Sequence, residues 1–60
     1  MYAARDKNGT LVMYIEEPYT HTKDGAWVSE GTEMILPKDL MPELTFEMGP
    51  VEVEFVIKKR

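Results

Sequence analysis

With 60 residues, a net charge of -4 and no cysteine, the chain is expected to form one domain spanning residues 1–60, of a size that buries only roughly 60% of its unfolded surface. The absence of cysteine removes disulfide staples, thiolate nucleophiles and the usual tight zinc sites, and favours a cytoplasmic setting. No apolar run approaches the roughly 20 residues needed to cross a membrane, and Met1-Tyr2-Ala3-Ala4-Arg5-Asp6 lacks the apolar centre of a secretion signal.

Asn8-Gly9 predicts an N-terminal hairpin, because both central positions of a type I′ turn need positive φ. Turning there would pair Lys7 with Thr10, Arg5 with Val12, Ala4 with Met13 and Tyr2 with Ile15. One face would then carry Tyr2, Ala4, Leu11, Met13 and Ile15, assigned to the core, and the other Ala3, Arg5, Val12 and Tyr14. Ala4 would leave room for a larger residue such as Trp27 or Phe55. Glu17-Pro18 ends the second strand, and the chain reverses again at Asp24-Gly25 before a short strand Ala26-Trp27-Val28.

Glu33-Met34-Ile35-Leu36 reads as a fourth strand. Pro37 then stops the ladder and suits the first turn of a short helix through Lys38-Asp39-Leu40-Met41. Glu43 to Met48 alternates Leu44, Phe46 and Met48 against Glu43, Thr45 and Glu47, which predicts another strand. After Gly49-Pro50, Val51 to Ile57 alternates again, with Val51, Val53, Phe55 and Ile57 on one face. Strands this closely spaced leave no room for parallel crossovers. The expected fold is all-β or mainly β: a small antiparallel sheet or a partly open SH3-like barrel with one short helical turn.

Charge is laid out unevenly. Between Glu30 and Glu54 stand seven carboxylates (Glu30, Glu33, Asp39, Glu43, Glu47, Glu52 and Glu54) against Lys38, and Lys58-Lys59-Arg60 follow. Three positive charges make a weak nucleic-acid footprint, so the basic run reads as a solubilising end, and neither nucleic acid nor a membrane is an expected partner. His21 would need Asp24 and a hydroxyl of Thr20 or Thr22 to act as a minimal hydrolase, and an exposed loop histidine is the simpler account. Asp6-Lys7-Asn8-Gly9-Thr10 lacks the remaining calcium-loop ligands and is a turn. No catalytic, metal or cofactor site is expected.

Aromatic and apolar side chains offer more. Trp27 is expected to anchor the core with its indole N–H on a backbone oxygen; the competing account places Trp27 with Tyr14 or Tyr19 in an exposed patch for a protein. Met13, Met34, Met41 and Met48 fit as core gap-fillers, with Met41, beside Leu40 and Pro42, the exception that could instead face out and join Trp27 or Val56 in a contact surface. The candidate protein contacts are therefore Tyr14, Tyr19, Trp27, Met41 and Val56.

The order Tyr2-x-Ala4-Arg5-Asp6-x-x-Gly9-Thr10-Leu11-x-x-Tyr14, then Leu36-Pro37-x-Asp39-Leu40-x-Pro42-x-Leu44-Thr45-Phe46 and Pro50-Val51-Glu52-Val53, resembles small uncharacterised proteins of gut Bacteroides-type bacteria and their phages or mobile elements. The resemblance spans most of the chain; it implies a bacterial cytoplasmic accessory protein and supplies no active site.

The sequence thus points to a noncatalytic protein-interaction or regulatory module. The main rival is an acidic accessory or inhibitor protein that mimics nucleic-acid charge or blocks a basic groove, with the His21 hydrolase behind both. A homodimer through the C-terminal strand would share apolar surface and could set Glu52 or Glu54 against Lys58 or Lys59 of the second chain.

Overall fold

The computed structural model describes residues 1–54. Its first hairpin joins β1 (Tyr2–Arg5) to β2 (Leu11–Tyr14), but the turn differs from the expected one. Asp6 N–H donates to Thr10 O at 2.8 Å and Gly9 N–H to Asp6 O at 2.9 Å, which leaves a three-residue loop, Lys7-Asn8-Gly9. Gly9 carries the positive φ, +97°, and Asn8 contributes its side chain instead, its Oδ1 accepting from Thr10 N–H at 3.0 Å. Three-residue hairpin loops with a left-handed residue at their end close in this way.

That extra loop residue slips the register by one. Tyr2 pairs with Tyr14, Ala3 with Met13, Ala4 with Val12 and Arg5 with Leu11. A slip of one residue turns every side chain of β2 to the other face relative to β1. The expected core face Tyr2, Ala4, Leu11, Met13 and Ile15 is therefore wrong: Ala4 shares its side with Val12 and Tyr14, and Ala3 with Leu11.

The sheet is antiparallel throughout, in the order β5-β2-β1-β6, with β5 (Glu33–Leu36) and β6 (Val51–Glu52) on its two edges. A second, two-stranded sheet pairs β3 (Thr20–His21) with β4 (Trp27–Val28). The fold is mainly β, and among the described residues no barrel closes. Val53 N–H still donates to Met1 O at 2.9 Å beyond β6. Residues 55–57 of the expected closing strand, with Phe55 as a core candidate, lie outside the described residues.

Both faces of the sheet are covered, each by a small cluster. Ala3 and Leu11 pack with Leu44, flanked by Leu36, Met41, Val51 and Val53. On the other side Ala4, Val12 and Tyr14 pack together, flanked by Tyr2 and Trp27. The small Ala4 does make room for Trp27.

Between Pro37 and Gly49 the sequence reading fails twice. The helical turn expected at 37–41 is interrupted: Leu40 N–H reaches Pro37 O at 3.1 Å, and Met41 then takes a left-handed φ of +53° that no α-helix continues through. The expected strand over 43–48 is also absent. After Leu44 N–H bonds Met41 O, the chain forms a 3-10 turn over Phe46–Met48. Alternation there arises because the bent chain sends Leu44 to the Ala3–Leu11 cluster and Phe46 to Trp27.

Candidate interaction surface

Arg5 determines how the irregular stretch 38–44 is held. Its Nε–H donates to Leu44 O at 2.7 Å, one terminal nitrogen to Gly9 O at 2.9 Å and Lys38 O at 3.0 Å, and the other to Leu40 O at 3.1 Å and Met41 O at 2.9 Å. Five donors in a planar fork meet five carbonyls, which only arginine can supply. The guanidinium thereby fixes the left-handed Met41 and seats Leu44 on the sheet. Met41 packs inward and does not join an outward surface; its neighbour Leu40 is the exposed one. One of two adjacent side chains had to face in, and Arg5 decides which.

The two-stranded sheet docks through the first hairpin's turn. Trp27 N–H donates to Asp6 Oδ1 at 3.0 Å, Trp27 Nε1–H donates to Arg5 O at 3.2 Å, and Lys7 N–H donates to Gly25 O at 2.8 Å. Trp27 is thus an anchor whose indole bonds a backbone oxygen, and the residue as a whole is half-buried. Gly25, at φ +84°, sits so close that an added Cβ would overlap Lys7 Cβ.

Around Trp27 lies an aromatic cluster that the sequence did not assemble. The His21 ring meets Trp27 edge-on at 5.0 Å and Phe46 at 5.1 Å, and Trp27 and Phe46 lie 5.8 Å apart. His21 Nδ1 lies 3.0 Å from Thr22 O, to which it can only donate. Thr22 Oγ1 accepts from Ala26 N–H. Opposite positions on β3 and β4 brought His21 to Trp27; a two-residue turn at Asp24-Gly25 would have set Thr22 opposite Trp27, and only the three-residue loop Lys23-Asp24-Gly25 gives the observed pair, while Phe46 arrives from 25 residues further on and no local signal marks it.

Tyr14 is 1% exposed, so it belongs to the core and not to an exposed aromatic patch, a consequence of the register slip. Its hydroxyl stands 3.5 Å from Trp27 O, and its pKa is pushed up to about 12 by burial first, then by the negative charges of Asp6 and Glu33. Tyr19 is open to solvent at 63%. Val56 lies outside the described residues.

The most open apolar segment is β5, expected as a strand with Met34 in the core. On β5, Met34 is 56% and Ile35 72% exposed. Ile15 N–H donates to Thr32 O at 3.1 Å, and Leu11 pairs with Leu36, Val12 with Ile35, Met13 with Met34. In an antiparallel ladder hydrogen-bonded pairs alternate, so Thr32, Met34 and Leu36 turn their backbone groups toward β2. Glu33 and Ile35 turn theirs outward, along an edge that no described strand covers. Exposed carboxylates at Glu16, Glu17, Glu30 and Glu33 accompany it.

Among the described residues no cavity opens, no group of three or more histidine, aspartate or glutamate side chains is placed to hold a metal, and no helix is long and apolar enough to cross a membrane. Comparison with family models, curated proteins and solved structures finds no match to this chain.

Proposed function

We infer that the chain is a noncatalytic protein-interaction module, acting as a small regulatory or accessory factor in the bacterial cytoplasm, and that it takes an extended partner segment along the outer edge of β5. The observation that carries this reading is Ile35: its side chain is 72% exposed and its backbone N–H and C=O point away from the sheet. Strand addition to such an edge draws affinity from main-chain hydrogen bonds and specificity from alternate side chains. Natural edge strands are usually blunted by charge, proline or a bulge; here Glu33 and Pro37 flank the apolar pair without covering it.

Selection of random extended peptides against the folded protein tests the reading. Peptides with apolar residues at alternate positions are expected to enrich, and Ile35→Pro should weaken them at least tenfold while leaving the inward ladder bonds intact. Peptides that bind the proline variant equally well would overturn it. A second reading, an acidic factor mimicking nucleic-acid charge or blocking a basic groove, is favoured by the exposed Glu16, Glu17, Glu30 and Glu33. Salt distinguishes the two: binding by charge mimicry falls steeply as salt is added, whereas strand addition changes little.

A further inference from the structure

We propose that the β5 edge takes the segment Phe55-Val56-Ile57-Lys58 of a second copy of this chain as an antiparallel fifth strand, an assignment that rests on the interaction reading above and names its partner. Register and charge carry the argument. The outward backbone groups of β5 belong to Glu33 and Ile35, so an added antiparallel strand must form its hydrogen-bonded pairs there. Setting Val56 opposite Ile35 places Lys58 opposite Glu33, Ile57 opposite Met34 and Phe55 opposite Leu36. Every apolar residue of the segment then meets an apolar residue of β5, and the cation meets the carboxylate. Arg60 follows toward Glu30 on the same acidic side. A shift of one residue would set Lys58 against Met34 or Ile57 against Glu33, and the parallel orientation in the same span would move the basic end toward Pro37.

The donor must be another molecule. β5 and β6 lie on opposite edges of the sheet, with β2 and β1 between them. Three inter-strand spacings of about 4.8 Å separate them, roughly 14 Å. Phe55 follows Glu54 directly, and one residue spans at most about 3.6 Å. The contact joins unlike surfaces, so two copies close it by reciprocal exchange, and copies that do not close extend head to tail.

Sedimentation equilibrium of the full chain, from low to upper micromolar concentration, tests the pairing with Glu33→Lys, Lys58→Glu and the two combined. The wild type is expected to gain mass with concentration, with the Glu33 and Ile35 amides becoming more protected from exchange as it does. Each single charge reversal should weaken association about fivefold, and the combined variant should recover to within about twofold, as a cross-strand ion pair requires. Glu33 is exposed, and unchanged amide protection in β1 and β2 verifies that each variant is folded. Association that the combined variant does not restore would overturn the assignment. A wild type that stays monomeric throughout would overturn it as well; selected peptides still binding at Ile35 would then leave the interaction reading standing, and their failure would remove both.

Discussion

The two faces of the four-stranded sheet are closed by different chemistry. Over Ala3 and Leu11 lies an irregular stretch held by one guanidinium, which satisfies four carbonyls of that stretch and ties them to a fifth, Gly9 O, in the first hairpin's loop. Over Ala4, Val12 and Tyr14 lies a short hairpin whose contact is mainly aromatic, with Trp27 packed on the sheet and His21 and Phe46 against it. A miniature domain with little area to bury can cover a face either by tying down a loop's polar backbone or by laying a large ring across it. The first depends on one side chain's geometry, the second on packed area.

Arg5 offers the most damaging break. Hydrogen bonds to charged groups are worth about 1.5–3 kcal/mol each, and three of the five lie in part-buried surroundings, so Arg5→Ala should cost about 3–5 kcal/mol in denaturant unfolding. Arg5→Lys should recover less than half of that, because an ammonium keeps the charge but cannot reach five carbonyls in a plane. Full recovery by lysine would show that charge, not the fork, holds the loop. Leu44, 1% exposed, is the loop's apolar counterpart; Leu44→Ala should cost about 2–4 kcal/mol, and a near-neutral result would mean that Arg5 alone seats the stretch.

The aromatic side should respond more gently. Trp27→Phe keeps a ring over Ala4 and loses the indole donor to Arg5 O, for a cost of about 1–2 kcal/mol. If phenylalanine at this position costs as much as Arg5→Ala, the two covers depend equally on polar contacts and the contrast fails.

What the sequence disclosed divides along the same line. Local signals worked where the structure is local: Asn8-Gly9 marked the first hairpin, Glu33–Leu36 emerged as a strand with its observed bounds, and Trp27 behaved as an anchor. The hairpin's faces were misassigned because Asn-Gly was placed in a two-residue turn, while Gly9 alone takes positive φ. The loop over Ala3 was illegible for a different reason. Arg5 finds four of its five carbonyls 33 to 39 residues away, and no periodicity reports which backbone a guanidinium will meet. The same holds for Phe46 beside Trp27. For the candidate surface, Ile35 was legible as an apolar strand residue but not as an edge, because edge position is a property of the strand order β5-β2-β1-β6.

Tyr14 gives the smallest effect at neutral pH and the finest test of the aromatic side. Its hydroxyl is 3.5 Å from Trp27 O, beyond the range of a strong O–H···O bond, so Tyr14→Phe should change stability by less than about 1 kcal/mol at pH 7. Alkaline solution is another matter. Burial, then Asp6 and Glu33, raise the folded phenol to about 12 from an ordinary 10.0. Between those values the unfolded chain releases the proton that the folded chain retains, so the folded state binds more protons and stability falls as pH rises. The contribution is whole below pH 10 and is lost as pH climbs through about 12. Other tyrosines and lysines titrate in the same window, but they are common to both proteins, so the difference between wild type and Tyr14→Phe isolates this group. Denaturant midpoints measured from pH 8 to pH 12 should show the wild type falling away from the phenylalanine variant above pH 10. Parallel curves would mean that solvent reaches the Tyr14 hydroxyl, and that the cover laid by Trp27 over this face is looser than the pinned loop on the other.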